Sequence, residues 1–187
     1  MKKLPLQCFI LIDKFSKHKE FKPLLLKEFE NQNKQINNHV DNIYNLDWPE
    51  KNNTERPWIK LLLESFNKQL DKMAFDSGYT VCNINEMWFQ QYIDGNIHDW
   101  HTHGSNFTGV YYVELDKNSP ITNLVTPFSQ NELIVPDVTE GDIIIFPSFT
   151  IHKAPLVTNG TRKTIISFNI DFQKCNINVY NQINNIL

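Results

Sequence analysis

The sequence predicts an α+β chain, mainly β, with a helical N-terminal region, and three observations lead there. Apolar residues recur at three- and four-residue steps up to about position 79. From Thr80 onward the pattern changes to short β-branched and aromatic runs. Gly, Asn, Asp and Pro punctuate those runs, as in a sandwich or barrel. At 187 residues and 22.0 kDa the chain suits one domain with a sizeable core. Its parts divide as a helical support region over 1–79, a β core over 80–172, and a tail or extra strand over 173–187.

In "HKEFKPLLLKEFENQNKQI", Phe21, Leu24, Leu25, Phe29 and Ile36 mark the apolar stripe of a first helix. In "PWIKLLLESFNKQLDKM", Trp58, Leu62, Phe66, Leu70 and Met73 mark a second; Pro57 suits its first turn and Thr54 or Asn53 its cap. The segment between them reads as a polar loop. Strand-like runs then cover 80–92, 107–115, 121–127, 142–146, 151–157 and 163–171. "GDIIIFP" combines a turn, a β-branched strand and a proline stop. "TNGT" at 158–161 signals a hairpin, because Asn-Gly tolerates the positive φ of tight turns. The loop over 116–138 is long enough to serve as a lid.

Composition excludes several function classes. A net charge of -3 gives no reason to expect nucleic acid or an anionic membrane as the main partner. Cys8, Cys82 and Cys175 are odd in number and far apart, which suggests neither a disulfide framework nor a zinc ribbon. The opening "MKKLPLQCFILIDKF" lacks the features of a signal peptide, and nothing approaches the roughly 18 continuous apolar residues of a membrane span. A soluble, cytoplasmic protein is expected.

Three of the six histidines fall in "HDWHTH", His98 to His103. In an extended strand His101 and His103 share a face, while Trp100 and Thr102 turn away. Two imidazoles on one face can take adjacent positions on a metal ion, and His152, on another predicted strand, can supply a third. His98 and Asp99 lie beside them. His18 and His39 sit in the helical half and receive no role.

A cation follows the hairpin signal after His152, and its identity depends on the turn. A two-residue loop turns Lys163, Ile165 and Ser167 toward the metal; a three-residue loop with Gly160 in a bulge turns Arg162 and Thr164 inward. The second register is favoured, since Arg162 offers a planar fork for a carboxylate and Thr164 adds a hydroxyl. A three-ligand metal beside such a clamp describes a site for a chelating oxo-acid.

These residues carry a resemblance. "EMWFQQYIDGNIHDWHTHGSNFTGVYYVEL" and "TEGDIIIFPSFTIHKAP…NGTRKTIISFNID" resemble the Fe(II)- and 2-oxoglutarate-dependent oxygenases, specifically a small prolyl-hydroxylase-like group with an HxH…SGVYY…EGD…FPS…H…R signature. The similarity runs from Glu86 to Asp171. It implies a double-stranded β-helix (a cupin-like jelly roll) with helices packed on one sheet. It also implies that His101, His103 and His152 bind iron. Arg162 would pair with the distal carboxylate of 2-oxoglutarate, assisted by Thr164; Tyr112 would add a hydroxyl there, with Tyr111 as its rival. O2 would be the second cosubstrate and a C–H bond, of a prolyl or other protein side chain, the target. Trp88, Gln90, Tyr92 and Trp100 are candidates to line the pocket.

One departure matters. The wider superfamily has HxD or HxE, so that a carboxylate joins two histidines; here His103 stands in that place. Three neutral imidazoles supply one less negative charge to the metal. The subgroup works with three histidines, or Asp99 swings in as a ligand, or the site is of another kind. A three-histidine zinc hydratase or hydrolase and a cupin-type iron dioxygenase are the enzymatic alternatives, since neither needs a dicarboxylate clamp. A non-enzymatic partner-binding domain is the third.

Overall fold

The computed structural model describes residues 8–31, 42–158, 160–176 and 178. Ile36, His39, Asn159 and the chain from 179 lie outside them. In chain order the elements are β1 (Leu11–Lys14), α1 (His18–Asn31), β2 (Asn45–Leu46), a 3-10 turn (Trp48–Glu50), α2 (Pro57–Asp76), β3 (Tyr79–Tyr92), β4 (His98–His101), β5 (Phe107–Glu114), β6 (Asn123–Thr126), β7 (Ser129–Ile134), β8 (Asp142–Pro147), β9 (His152–Ala154) and β10 (Lys163–Cys175). β1 and β2 add two short strands to the region read as helical support. β6 falls in the strand-like run over 121–127, and β7, which pairs with it, lies in the remainder of the segment read as a loop. β10 runs on to Cys175, past the end at Asp171 that the pattern suggested.

Every strand pairing is antiparallel. One sheet has the order β1-β8-β5-β10-β3-β2 and the other β4-β9-β6-β7. These two facing sheets, with the helices on the outside of the larger one, form the double-stranded β-helix that the resemblance implied.

The strands of the large sheet are apolar throughout because both faces are covered, and the two-residue period sorts their side chains. On β8, Ile143 and Ile145 face the helices while Ile144 and Phe146 face the second sheet; on β10, Ile166, Phe168 and Ile170 face the helices and Ile165 faces inward. Trp58, Leu62, Phe66, Leu70 and Met73 of α2 are all buried against the outer face, as their spacing predicted. α2 starts at Pro57, but Arg56 occupies the cap position without a capping side-chain bond. Asn53 instead accepts from the Glu55 N–H. Gly109 on β5 lets the core close. A Cβ there would lie 2.3 Å from the Phe168 ring and 2.7 Å from the Ile144 carbonyl oxygen.

The hairpin expected around Thr158–Thr161 is not formed. β9 pairs with β4 and β6, whereas β10 pairs with β3 and β5, so the chain crosses from one sheet to the other. Gly160 has the positive φ (+70°) that the sequence signalled, and its N–H donates to Asp94 Oδ1 at 2.8 Å. A sharp turn with positive φ serves a crossover as well as a hairpin, and only long-range pairing separates the two.

Candidate metal centre

Pairing across the small sheet builds the site. His101 on β4 is the antiparallel partner of His152 on β9. His103 lies two residues beyond the end of β4, held by its N–H donating to the Ser148 carbonyl at 3.0 Å. The ligand atoms of His101, His103 and His152 all lie within 4.8 Å of one another. His101 Nδ1 contacts the Asp99 carbonyl at 2.6 Å and His152 Nδ1 the Thr150 carbonyl at 2.9 Å. Those carbonyls hold the Nδ1–H tautomer and leave each Nε2 lone pair for a metal.

Burial pushes His152 down to about 3 and His103 down to about 4, with the neighbouring imidazoles acting in the same direction. Near neutral pH His103 and His152 are therefore neutral imidazoles, the form a metal requires.

A small chamber of about 20 Å³ lies behind the histidines, bounded among others by Trp88, Gln90, Thr122, Val110, Ile165 and Ser167. The β10 residues on its wall have odd numbers, and Lys163 shares their parity. Lys163 is 1% exposed, and its ammonium donates to the Pro120 carbonyl at 3.0 Å and sits 4.7 Å from the centre of the Tyr92 ring, itself part of the chamber wall. Among the described residues no carboxylate pairs with it, and burial pushes this amine down to about 7. Tyr112, fully buried, donates to Thr122 Oγ1 at 2.9 Å, and Thr122 lines the chamber. Tyr111 faces the other way, to His18 and the helices.

Arg162 and Thr164 are on the opposite face from the one expected. Arg162 makes a two-pronged pair with Glu114, through Nε at 2.8 Å and Nη2 at 3.0 Å, and reaches Glu30 of α1 at 3.5 Å. Thr164 donates to the same Glu114 carboxylate and accepts from Gln91 Nε2. Neither lines the chamber. The favoured register rested on a hairpin that is not formed; Lys163, which it turned outward, is buried against Tyr92 of the chamber wall without lining the chamber itself.

Of the other candidates, Trp88, Gln90 and Tyr92 line the chamber, while Trp100 is 40% exposed under the Lys153 ammonium. Asp99 is exposed, and its carboxylate accepts from the Trp100 N–H; it serves His101 through its backbone. Sequence reasoning missed Glu86. Burial raises this carboxyl, but Lys51 at 2.8 Å and Asn169 at 2.6 Å together hold it below the usual carboxylate range. Its negative charge is felt at His103. The signal was present, since Glu86 shares strand parity with Trp88 and Gln90.

No family model matches the chain, and no curated protein does. Solved structures do. A 2OG-Fe(II) oxygenase family oxidoreductase from Burkholderia pseudomallei superposes with a TM-score of 0.65 at 9% identity, covering 86% of this chain and 83% of that one. A Pseudomonas putida prolyl-4-hydroxylase gives 0.60 at 11% identity, covering 88% and 93%. A Trichoplax adhaerens prolyl hydroxylase, solved with a hypoxia inducible factor peptide fragment, gives 0.59 at 13% identity, covering 92% and 86%. At these identities the likeness is one of fold: the chain has the double-stranded β-helix of the 2OG-Fe(II) oxygenases.

Proposed function

We propose that the protein is an Fe(II)- and 2-oxoglutarate-dependent oxygenase that hydroxylates a C–H bond. One observation carries the reading: three histidines converge at the mouth of a small chamber, and a buried lysine with no carboxylate partner among the described residues packs against Tyr92 of its wall. The donor set fits iron, and a dicarboxylate held at the metal by one end would direct its other end toward the buried cation. When bound, iron, 2-oxoglutarate and O2 supply an oxidant able to take hydrogen from C–H, with 2-oxoglutarate converted to succinate and CO2.

This chain's residues do the rest. His101, His103 and His152 would hold the metal, with backbone carbonyls at the Nδ1 of His101 and of His152 and the ring of His103 lying against Trp88. Lys163, in the role that Arg162 was expected to fill, meets the distal carboxylate, with Tyr112 and Thr122 adding hydroxyls. Trp88, buried and with its indole N–H unpartnered among the described residues, walls the chamber beside His103. Two open cavities flank His103 on the outside. One of about 300 Å³ is bounded by Ile43, Leu46 and Trp48, and one of about 500 Å³ by Asn52, Asn85, Glu86 and Asn169. A substrate reaching the metal from there has an apolar slot beside a polar one, which suits a prolyl or other side chain carried on a peptide.

The test is an anaerobic optical titration of the apo-protein with Fe(II), then 2-oxoglutarate. The expected result is a visible charge-transfer band that is absent in His152→Ala and Lys163→Ala and retained in Arg162→Ala. Bound iron with no such band would overturn the reading in favour of a three-histidine dioxygenase. Zinc binding without iron binding would move it to a hydratase.

A further inference from the structure

We propose that His98 is a positioning residue that sets the plane of the His101 imidazole, an inference that rests on His101 being a metal ligand. The two rings lie 3.8 Å apart and only 15° from parallel. Residues three apart on a regular strand point to opposite faces. Here the register of β4 against β9 shifts between His98, opposite Ala154, and His101, opposite His152, so three steps on one strand match two on the other. That bulge brings both rings to the chamber side.

Each of the three site histidines leans on an aromatic partner. His152 meets Phe146 edge-on at 4.8 Å, and His103 meets Trp88 at 5.7 Å. Both partners are held by core packing, at 0% and 2% exposure. His98 is different: it is partly exposed, polar, and tied by hydrogen bonds. Ser167 Oγ donates to Gln90 Oε1 at 2.8 Å, and Gln90 Nε2 reaches His98 Nδ1 at 3.3 Å. The chain of contacts runs from β10 through β3 to the ring that covers His101.

The stack has a job the hydrogen bond cannot do. The bond from His101 Nδ1 to the Asp99 carbonyl fixes one direction in the ring, but the imidazole can still pivot about that line. A flat surface at 3.8 Å removes the pivot and with it the sideways drift of Nε2. His98 also borders both the chamber and the apolar outer cavity, so it stands where cosubstrate and substrate spaces meet.

Co(II) is the probe, because three imidazoles bind it whether or not the protein is an oxygenase. Partners that orient a metal-bound histidine typically change affinity by about 10–100-fold. His98→Ala is expected to weaken Co(II) binding by that factor and to alter the Co(II) visible bands. His98→Phe, which keeps a ring for the stack, is expected to recover most of both, and Gln90→Leu to fall between. The thermal midpoint of the metal-free protein should stay level in His98→Ala and His98→Phe, whereas Gln90→Leu, which strands the buried Ser167 hydroxyl, should lower it. Unchanged Co(II) affinity and bands in His98→Ala overturn the inference. So does a His98→Phe protein as impaired as His98→Ala, or a metal-free midpoint that drops in step with affinity in the His98 variants. A Co(II) effect as expected, with no Fe(II)–2-oxoglutarate band in the wild type, would sink the oxygenase reading and leave the His98 inference standing.

Discussion

Arg162 and Lys163 are neighbours in sequence, yet their charges sit on opposite faces of β10. The guanidinium is matched to Glu114 on the helix side, and the ammonium is buried behind the chamber with a carbonyl as partner. The first is a completed pair. The second is a buried cation without a carboxylate partner among the described residues.

Lys163→Ala is therefore expected to weaken 2-oxoglutarate binding by about 2–5 kcal/mol, the usual loss when one partner of a buried charge pair is removed. Arg162→Ala is expected to leave that binding nearly intact and to cost about 1–3 kcal/mol of stability by stranding Glu114. Isothermal titration and denaturant melts of both variants separate the two roles.

Lys163 also predicts a pH dependence. Its amine is lowered to about 7 by burial, so binding of the dianion should weaken as pH rises through about 7. For stability the sign is opposite. The unfolded chain keeps this lysine protonated up to about 10.4, so between about 7 and 10.4 it binds more protons than the fold, and stability rises with pH there. Lys163→Met should flatten that rise and raise the midpoint of the ligand-free protein near pH 7. Calorimetric scans at several pH values check it.

On the acid side the metal-free protein should lose stability steeply. His18, His103 and His152 all have lowered values, burial being the first cause in each. The unfolded chain takes up these protons as pH falls through about 6.5, and the fold resists them, so each histidine costs about 1.4 kcal/mol per pH unit until its folded value is reached. His18 bridges Tyr111 and Glu140 far from the site. Metal added at pH 6 should restore the contribution of His103 and His152 but not that of His18, as urea titrations with and without Zn(II) will show.

Asp47 and Arg56 form a buried ion pair under the loop that bears Trp48. The Asp47 carboxylate also accepts from the Trp58 indole at 2.8 Å and the Phe89 N–H at 2.7 Å, and Arg56 donates to the Met87 carbonyl at 2.6 Å. Asp47→Ala leaves a buried guanidinium unpaired and should cost about 3–5 kcal/mol. Because Trp48 walls both outer cavities, an otherwise folded Asp47 variant should retain the Fe(II)–2-oxoglutarate band yet lose coupled turnover.

Gly109→Ala is expected to destabilise by about 1–3 kcal/mol through overpacking against Phe168. The Ile144 carbonyl cannot move aside without breaking the β5–β8 ladder, so relief must come from the Phe168 ring. Thermal melts of Gly109→Ala alone and with Phe168→Leu should show partial rescue in the double variant.

Much of this was legible in the chain. The apolar spacing from Trp58 to Met73 located α2 and its buried stripe. The parity of His101 and His103 gave a shared face, and the spacing of "GVYY" left Tyr112 and Tyr111 as rivals that the sheet then separated. Glu86 was legible by parity and overlooked. β6 was legible in the run over 121–127, whereas β7 was hidden, because "SQNELI" interleaves polar residues with apolar ones at the edge of the smaller sheet.

The amino-acid sequence by itself determined the helix-then-strand order, the three candidate histidines and the existence of a cation near the start of the last strand. Local rules suffice for these, because period and turn chemistry act within a few residues. Only the tertiary structure decided which cation is buried beside the chamber wall and that His98 stacks on His101. Strand parity is relative: it says which residues share a face, but the face that becomes interior depends on which strand lies alongside. β10 took β3 and β5 as neighbours rather than β9, and β4 bulged against β9, so side chains far apart in sequence set the sign.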